Sequence, residues 1–581
     1  MNVKLGMQSQ TIKINELLLS NHCYVIPRYQ REFSWDKSNI IKLIDDLEKN
    51  TKLKNGKIKP VPYFIGITIL EGEFNDETYE LNVIDGQQRL TTITMILCCL
   101  RNIFDELQDE TYKKKCVSLI FNTHKGHKNK KIFDTQNKTH YFPFNIQANE
   151  PRDNPESSEE NCLFEGYNAI KSKLSSETIK NDFRKIHRIE TTSYLDLLHA
   201  FYDQLINSYV ILAWNTSAID SNSFFNSMNS KSVPLSPVDN IKSSVFNLID
   251  DVDPVDIAQD YWDKIHKNLA YNGEYCDFGN FLRQYWSSHY IRTSYNALYK
   301  RYLKTITTKE QAKKFLEDVN TFSEAYSCIV WNTKIGSKNA EKQIKEHLHY
   351  IIDDFKLALP RGFLATCYSL YAKNIIGSSI LAKITDFLEM YHFIYGSVLS
   401  KRTNKLDPKY SEYSIKLNKA TTKEEANKYL TEFAKSLMSL INENDETIKN
   451  SFLKLNTLKK NSDSYLACRY FVYKMENILS GNKINVSGGS VEHVFNKSVD
   501  EENHYIWNLC CLEENKNSEI SEFATPVEKL SKYKESTYSY IKQIVPLIDT
   551  NITAEEQKEK LKQNQSNNLV IFMNRLRGLY D

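Results

Sequence analysis

Apolar and polar residues alternate with several periods along the chain, and each change of period marks an element. Residues 14–18 begin a short helix, and Tyr24-Val25-Ile26-Pro27 reads as a strand stopped by proline. Apolar residues then recur at Ile40, Ile41, Leu43, Ile44 and Leu47, the spacing of one helix face. Residues 63–70 are apolar and β-branched, and residues 79–84 resemble their hairpin partner. Asp85-Gly86 ends that second strand, and a helix begins at Arg89. Helices and loops alternate over 102–244, where residues 124–161 are polar enough for a long excursion. Residues 251–445 are mostly helical, with amphipathic stretches at 312–322, 341–357 and 380–398 and no period that argues for a solenoid. Near the end, residues 487–493 are Gly-rich then apolar, 505–512 are strand-like, and 518–532 have helical stretches.

The pattern predicts an α+β multidomain chain: a mixed α/β front, a mostly helical middle and a strand–strand–helix unit set among helices. A length of 581 residues is too great for one ordinary core. We place domains at 1–250, 251–447 and 448–581. Seventeen Gly and 13 Pro leave little room for disordered linkers. The net charge of +2 gives no global pull toward nucleic acid, so any DNA-binding surface must be a local patch. None of the 11 cysteines forms a CxxC pair, and adjacent Cys98-Cys99 and Cys510-Cys511 fit buried thiols in a reducing cytosol. With no signal-peptide pattern and no apolar stretch of spanning length, a cytoplasmic protein without a membrane role is expected.

Two stretches carry candidate chemistry. In Val83-Ile84-Asp85-Gly86-Gln87-Gln88-Arg89-Leu90-Thr91-Thr92, a glycine in a strand-to-helix turn permits close approach to a ligand. The N–H groups that follow sit at a helix N-terminus, which favours an anion. Arg89 offers a planar fork for phosphate, and Asp85 can hold a metal or a water. A surface turn with a solvated arginine is the plainer alternative. No GxxxxGK[ST] pattern occurs, so the chain is not a P-loop engine. Near the C-terminus, Val491-Glu492-His493-Val494-Phe495 precedes Trp507-Asn508-Leu509 and then Asn515-Lys516-Asn517. Cutting a phosphodiester needs a base for water and a cation for the developing charge. A histidine ending one short strand, an asparagine in the turn after a second strand and a ligand on the following helix supply those parts. A half-buried strand without catalytic function fits the same residues.

These segments resemble the GmrSD-type, modification-dependent (type IV) restriction family. Ile26-Pro27-Arg28-Tyr29-Gln30-Arg31-Glu32-Phe33-Ser34-Trp35 matches its IPxYQRxxxW, and the DGQQR-LT segment follows in order. Phe225 to Asn229, Leu235-Ser236 and Asp239-Asn240-Ile241-Lys242 resemble a third element, with Ser232 where glycine is common. The tail resembles the family's HNH pattern: EHI-x-P, GNL-x-LL, an asparagine, then K-x-x-x-Y. Asn508-Leu509, Leu512 and Asn517 fall in place, and Lys532-Tyr533 is read as the basic–aromatic pair. Trp507 replaces a common glycine and Asn496 a frequent proline.

The resemblance implies a ParB/sulfiredoxin-like N-terminal domain that binds and hydrolyses a nucleoside triphosphate (GTP, ATP or UTP). Arg28, Gln30, Arg31, Gly86, Gln87 and Gln88 would bind the nucleotide, and Asp85 and Arg89 would drive hydrolysis. It implies an HNH-like ββα-metal nuclease in which His493 is the base and Asn508 orients it or holds its loop. Glu492 and Asn517 would be ligands to Mg2+ or Mn2+. The partner would be modified phage or foreign DNA, and the resemblance leaves room for a homodimer. The alternative is a nucleotide-responsive DNA-binding regulator with a degenerate site. His504 is expected to be an exposed loop histidine. The run Lys125, His127, Lys128, Lys130 and Lys131 reads as a solvated loop, whereas Lys454, Lys459, Lys460, Arg469, Lys529, Lys532 and Lys534 flank the nuclease-like site.

Overall fold

The computed structural model describes residues 7–75, 79–122, 126–136, 141–150, 154–155, 157–188, 192–215, 236–249, 256–332, 335–336, 339–481, 488–521 and 524–580. Phe225 to Asn229, Ser232 and Leu235 of the third family-like element, and Lys125 and Ser487, lie outside them. The predicted α+β class holds. The chain divides into two compact units, one of Met1–Asn280 with Tyr295–Asn320 and one of Phe281–Ser294 with Thr321–Asp581.

The first unit is built on a six-stranded mixed sheet. Its strands are β1 (Met7–Lys13), β2 (Cys23–Ile26), β3 (Phe64–Glu71), β4 (Glu80–Asp85), β5 (Phe133–Thr135) and β6 (Tyr209–Asn215), in the order β1-β6-β3-β4-β2-β5. β3 and β4 are antiparallel neighbours, as the hairpin pattern predicts. β2 lies parallel to both β4 and β5. The excursion expected over 124–161 is corrected in part. β5 lies within it, and Phe133, Phe142 and Ile146 are buried, so isolated apolar residues among charged ones pin this stretch to the core.

Helices α1 (Lys37–Lys49), α2 (Gln87–Glu106), α3 (Ser158–Lys173), α4 (Pro237–Leu248) and α5 (Ile257–Asn268) complete the functional part of this unit. Asp36 caps α1 by accepting from the Asn39 amide. α2 is buried nearly all round, with Leu90, Ile93, Ile96, Leu97 and Leu100 packed with Leu70, Leu81 and Val83 of the sheet. A helix that is apolar on every side belongs in a core, and here it fixes the turn at its N-terminus rigidly.

In the second unit, α6 (Asn339–His349), α7 (Ser378–His392), α8 (Asp463–Ser480) and α11 (Ala554–Gly578) surround an aromatic core that includes Phe393, Tyr470, Phe471 and Phe572. Following α8 comes the antiparallel pair β7 (Gly489–His493) and β8 (Leu509–Glu513), in register from Gly489–Glu513 to His493–Leu509. Two short helices follow, α9 (Glu514–Ser518) and α10 (Pro526–Lys534). The strand expected over 505–512 begins only at Leu509, because residues 501–504 and 506–508 are 3-10 turns. Asp500 caps the first of these turns through the Glu502 amide, which bends the chain before the strand can start. Among the described residues, no helix is long and apolar enough to cross a membrane.

Candidate functional site

In the first unit the DGQQR turn joins β4 to α2. Gly86 is the N-cap with φ +98°, a left-handed conformation that L side chains rarely adopt. A Cβ there would lie 3.0 Å from Thr68 Oγ1 and 3.3 Å from the Ile67 carbonyl oxygen. The close approach that demands glycine is therefore to β3. Asp85 is half-buried at the end of β4. Arg89 donates from Nη1 to the Ile67 carbonyl at 3.0 Å and lies across Gly66.

Three of the residues expected to bind nucleotide, Arg28, Gln30 and Gln88, are committed elsewhere. Arg28 donates to Asp256 Oδ1 at 2.6 Å and to the Phe246 and Ile249 carbonyls at 3.2 and 2.6 Å, and its guanidinium rests over the Phe246 ring. A buried carboxylate and two carbonyls satisfy the same donors that a phosphate would, so Arg28 ties the 26–35 segment to α4 and α5. Gln88 accepts from the Ser34 and Trp35 amides and donates to the Glu32 carbonyl at 3.0 Å. Gln30 is buried and donates to the Ile84 carbonyl at 3.4 Å. Arg31, Gln87 and Gln88 border a cavity of only about 10 Å3, the space of one water. The turn and the IPxYQRxxxW segment are thus brought together, but as a packed pair rather than an open pocket.

Sequence reasoning missed a buried ionic group beside them. Glu32 Oε1 meets Lys242 Nζ at 3.4 Å, His266 Nε2 at 3.3 Å and the donated Trp262 Nε1–H at 3.3 Å. Burial pushes the Glu32 carboxyl up, but His266, Lys242 and the hydrogen bonds outweigh it and hold it below the usual range. Nearby Glu159 accepts from the Phe33 amide at 2.9 Å. Burial and then the Glu32 charge push its carboxyl up to about 8. Lys242 closes the D-x-I-K stretch, and that was the available signal: a lysine on the apolar face of a helix needs a buried acid.

In the second unit, β7, β8 and α9 bring three predicted residues to one cavity. Glu492, His493 and Asn517 border a space of about 420 Å3 together with Ser490, Lys497 and Lys529. Burial, then the charges of Lys497, His504 and Lys529, push the His493 imidazole down to about 3. It is neutral at pH 7. Glu492 Oε1 accepts from Lys529 Nζ at 2.8 Å and from the Tyr533 hydroxyl at 2.7 Å, while its Oε2 takes no hydrogen bond from any described residue. Asn517 donates from Nδ2 to Ser490 Oγ at 2.8 Å, which leaves its Oδ1 free of described donors. The basic–aromatic pair is Lys529 and Tyr533, four apart on one face of α10, in place of the expected Lys532-Tyr533. Lys532 points instead to Glu519.

Asn508 lies outside the cavity's lining and is fully buried. Its Oδ1 accepts from the Phe495 amide at 2.7 Å, and its Nδ2 donates to the carbonyls of Phe495 and Asn503 at 2.8 and 2.6 Å. It therefore clamps the chain two residues past His493. Asn508→Ala orphans those three backbone groups and should destabilise the second unit by about 2–3 kcal/mol, read by thermal unfolding. Trp507, buried at the back of the same loop, is absent from the cavity lining. His504 is half-buried rather than exposed, with its ring centroid 5.8 Å from that of His493.

Residues 14–246 match the family described as GmrSD restriction endonuclease, N-terminal domain. The matched stretch contains the IPxYQRxxxW, DGQQR and D-x-I-K segments. Residues 14–246 of the first unit are thus similar to the N-terminal domain of GmrSD restriction endonucleases. No curated protein matches the chain significantly.

Proposed function

We propose that the chain is a nucleotide-dependent DNA endonuclease or nickase of prokaryotic anti-phage defence, acting on or sensing modified DNA. One observation carries the nuclease part: Glu492, His493 and Asn517 converge on a single cavity. A strand, its antiparallel partner and a helix deliver them, the ββα-metal arrangement of HNH nucleases. The neutral His493 is the general base that takes the proton of the attacking water. Glu492 Oε2 and Asn517 Oδ1 are hard oxygen donors suited to Mg2+ or Mn2+, which would stabilise the pentacovalent phosphorus and the leaving oxygen. Lys529 fixes the Glu492 carboxylate and donates to the His493 carbonyl at 2.5 Å, so one ammonium sets two residues of the site. Asn508 is a positioning residue.

In the first unit, Asp85, Arg89, Arg31 and the first amides of α2 are the groups left to meet a triphosphate, with Gln87 beside them. Gln30, Gln88 and Arg28 hold the two motif segments against each other. The roughly 10 Å3 now enclosed there means that a nucleotide must part these segments or bind on the exposed side of Arg89.

The test is plasmid cleavage with Mg2+ or Mn2+ and GTP, ATP or UTP, on unmodified, glucosylated and phosphorothioated DNA. We expect nicks or breaks that require metal and are stimulated by a nucleotide. Absence of cleavage with every metal, alongside retained DNA binding, would instead favour a regulator. Asp85→Ala and Arg89→Ala should each slow nucleotide hydrolysis by about 100-fold. Unchanged hydrolysis in both variants ends the phosphate assignment.

A further inference from the structure

We propose that Thr457 is a positioning residue that keeps the proton of the neutral His493 ring on Nε2 and so leaves Nδ1 as the basic nitrogen. The inference deepens the nuclease reading and rests on it for its chemistry. Thr457 is nearly buried, 36 residues before His493, in a stretch that none of the motifs includes. It is held by the backbone: the Thr457 amide donates to the His504 carbonyl at 2.9 Å, and the Ile506 amide donates to the Leu455 carbonyl at 2.9 Å. A two-residue antiparallel contact thus delivers one hydroxyl to the underside of the catalytic loop.

That hydroxyl has three polar neighbours. Thr457 Oγ1 lies 3.1 Å from His493 Nε2, 3.3 Å from His504 Nδ1 and 3.2 Å from the His504 carbonyl oxygen. A threonine hydroxyl has one proton to give and two lone pairs to receive with. The carbonyl can only accept. If the hydroxyl donates to it, both ring nitrogens must bring their own protons, and His493 carries its hydrogen on Nε2. If the hydroxyl donates to His504 Nδ1, His493 Nε2 must still donate. Only donation to His493 Nε2 itself reverses the tautomer. Two of the three arrangements therefore put the His493 proton on Nε2.

The other nitrogen is then the one that matters. His493 Nδ1 takes no hydrogen bond from any described residue, and His493 lines the 420 Å3 cavity. Its lone pair is available to a water in that space. The second nitrogen of a catalytic imidazole commonly sets tautomer and orientation by what it donates to. Here a side-chain hydroxyl does so, and the hydroxyl is itself oriented by a backbone carbonyl. The Thr457 methyl group cannot replace this function, so valine, nearly the same shape, is the informative substitution, and serine restores the hydroxyl.

The experiment compares full-length wild type, Thr457→Val and Thr457→Ser, each labelled with [15N]histidine, the His493 signals being assigned by their loss in His493→Gln. At pH 7 we expect the wild-type and serine proteins to show protonated Nε2 and bare Nδ1, and the valine protein to show a mixture. Plasmid cleavage should slow about 10- to 100-fold in Thr457→Val with DNA affinity unchanged, and serine should return it to within about 3-fold of wild type. A wild-type ring protonated on Nδ1, or a valine variant with an unaltered tautomer, overturns the proposal. So does a valine variant that cuts at the wild-type rate. If wild type cuts no DNA, the nuclease reading falls, while the nitrogen spectra still decide what Thr457 does to His493.

Discussion

If His493 is the proposed base, replacing it by alanine should lower DNA cleavage by about 100- to 10,000-fold while the protein stays folded, because the ring borders a cavity rather than the apolar core. The pH dependence gives a second readout. An unperturbed histidine loses its proton near pH 6.5, but burial and the surrounding Lys497, His504 and Lys529 push His493 down to about 3. It therefore stays neutral across the working range. Cleavage by the wild type should show no inflection between pH 5.5 and 7.5 that His493 can account for. Linkage fixes the sign of the stability effect. Between about pH 3 and 6.5 the unfolded chain protonates His493 and the folded chain does not, so this group's contribution is complete above pH 6.5 and is lost as the pH falls toward 3. His289 and His392, also held low by burial, act in the same direction. Removing His493 alone should thus narrow the gap in unfolding temperature between pH 8 and pH 5 by about 4 °C. Single-turnover nicking and thermal unfolding across pH read the two effects. Cleavage within threefold of wild type would remove His493 from the chemistry.

What the chain disclosed in advance follows from how local each signal is. β2, β3, β4 and α2 combine clear periodicity with a strong stop, Pro27 or Asp85-Gly86, and all of them appear. β1 was not foreseen, because Gln8, Ser9, Gln10 and Thr11 have no apolar run, and its strand character comes from pairing with β6 over 200 residues away. β5 is three residues long and exists because β2 offers it an edge. Site residues divide in the same way. That Glu492, His493 and Asn517 come to one cavity could be read because the strands and the helix that carry them follow one another closely in sequence. Lys529 is less legible than Lys532 beside Tyr533, because its role depends on α10 turning both it and Tyr533 toward Glu492. Thr457, Glu159 and His266 were invisible, since only tertiary contacts bring them to their partners. Arg28 carries the opposite lesson. Guanidinium chemistry is legible, yet whether it meets a phosphate or Asp256 is decided by distant packing.

The largest stability effect expected lies away from the cavity, at Lys474. This buried lysine on α8 donates to Asp386 at 2.6 Å and also to Glu389, both on α7. His347 of α6 reaches Glu389 at 3.0 Å, and Arg575 of α11 reaches Asp386 at 2.8 Å, so four helices share one ionic knot. Burial alone would push both carboxyls up, but Lys474 and His347, with Arg575 at Asp386, outweigh it and hold them below the usual carboxylate range. Lys474→Met removes the ammonium while keeping most of the side chain, and leaves two buried carboxylates with too little compensation. Losing one partner of a buried pair costs about 3–5 kcal/mol, on the order of a 10 °C fall in the unfolding temperature of a unit this size.

The sign with pH then separates this cause from lost packing. In wild type the two acids stabilise above their unfolded values, near pH 4, and that contribution is lost as the pH falls through their depressed folded values. In the variant their folded values rise, so acidification relieves the strain, and the deficit against wild type should shrink from pH 8 to pH 5. Adding Glu389→Gln should recover part of the loss. If the proposed site cuts DNA, cleavage at 37 °C should fail with the fold, because α8 also carries Tyr473, whose hydroxyl donates to the Gly489 carbonyl at the head of the β7–β8 hairpin. A Lys474→Met protein within about 1 kcal/mol of wild type at every pH would show that the knot is held by Arg575 and His347 alone.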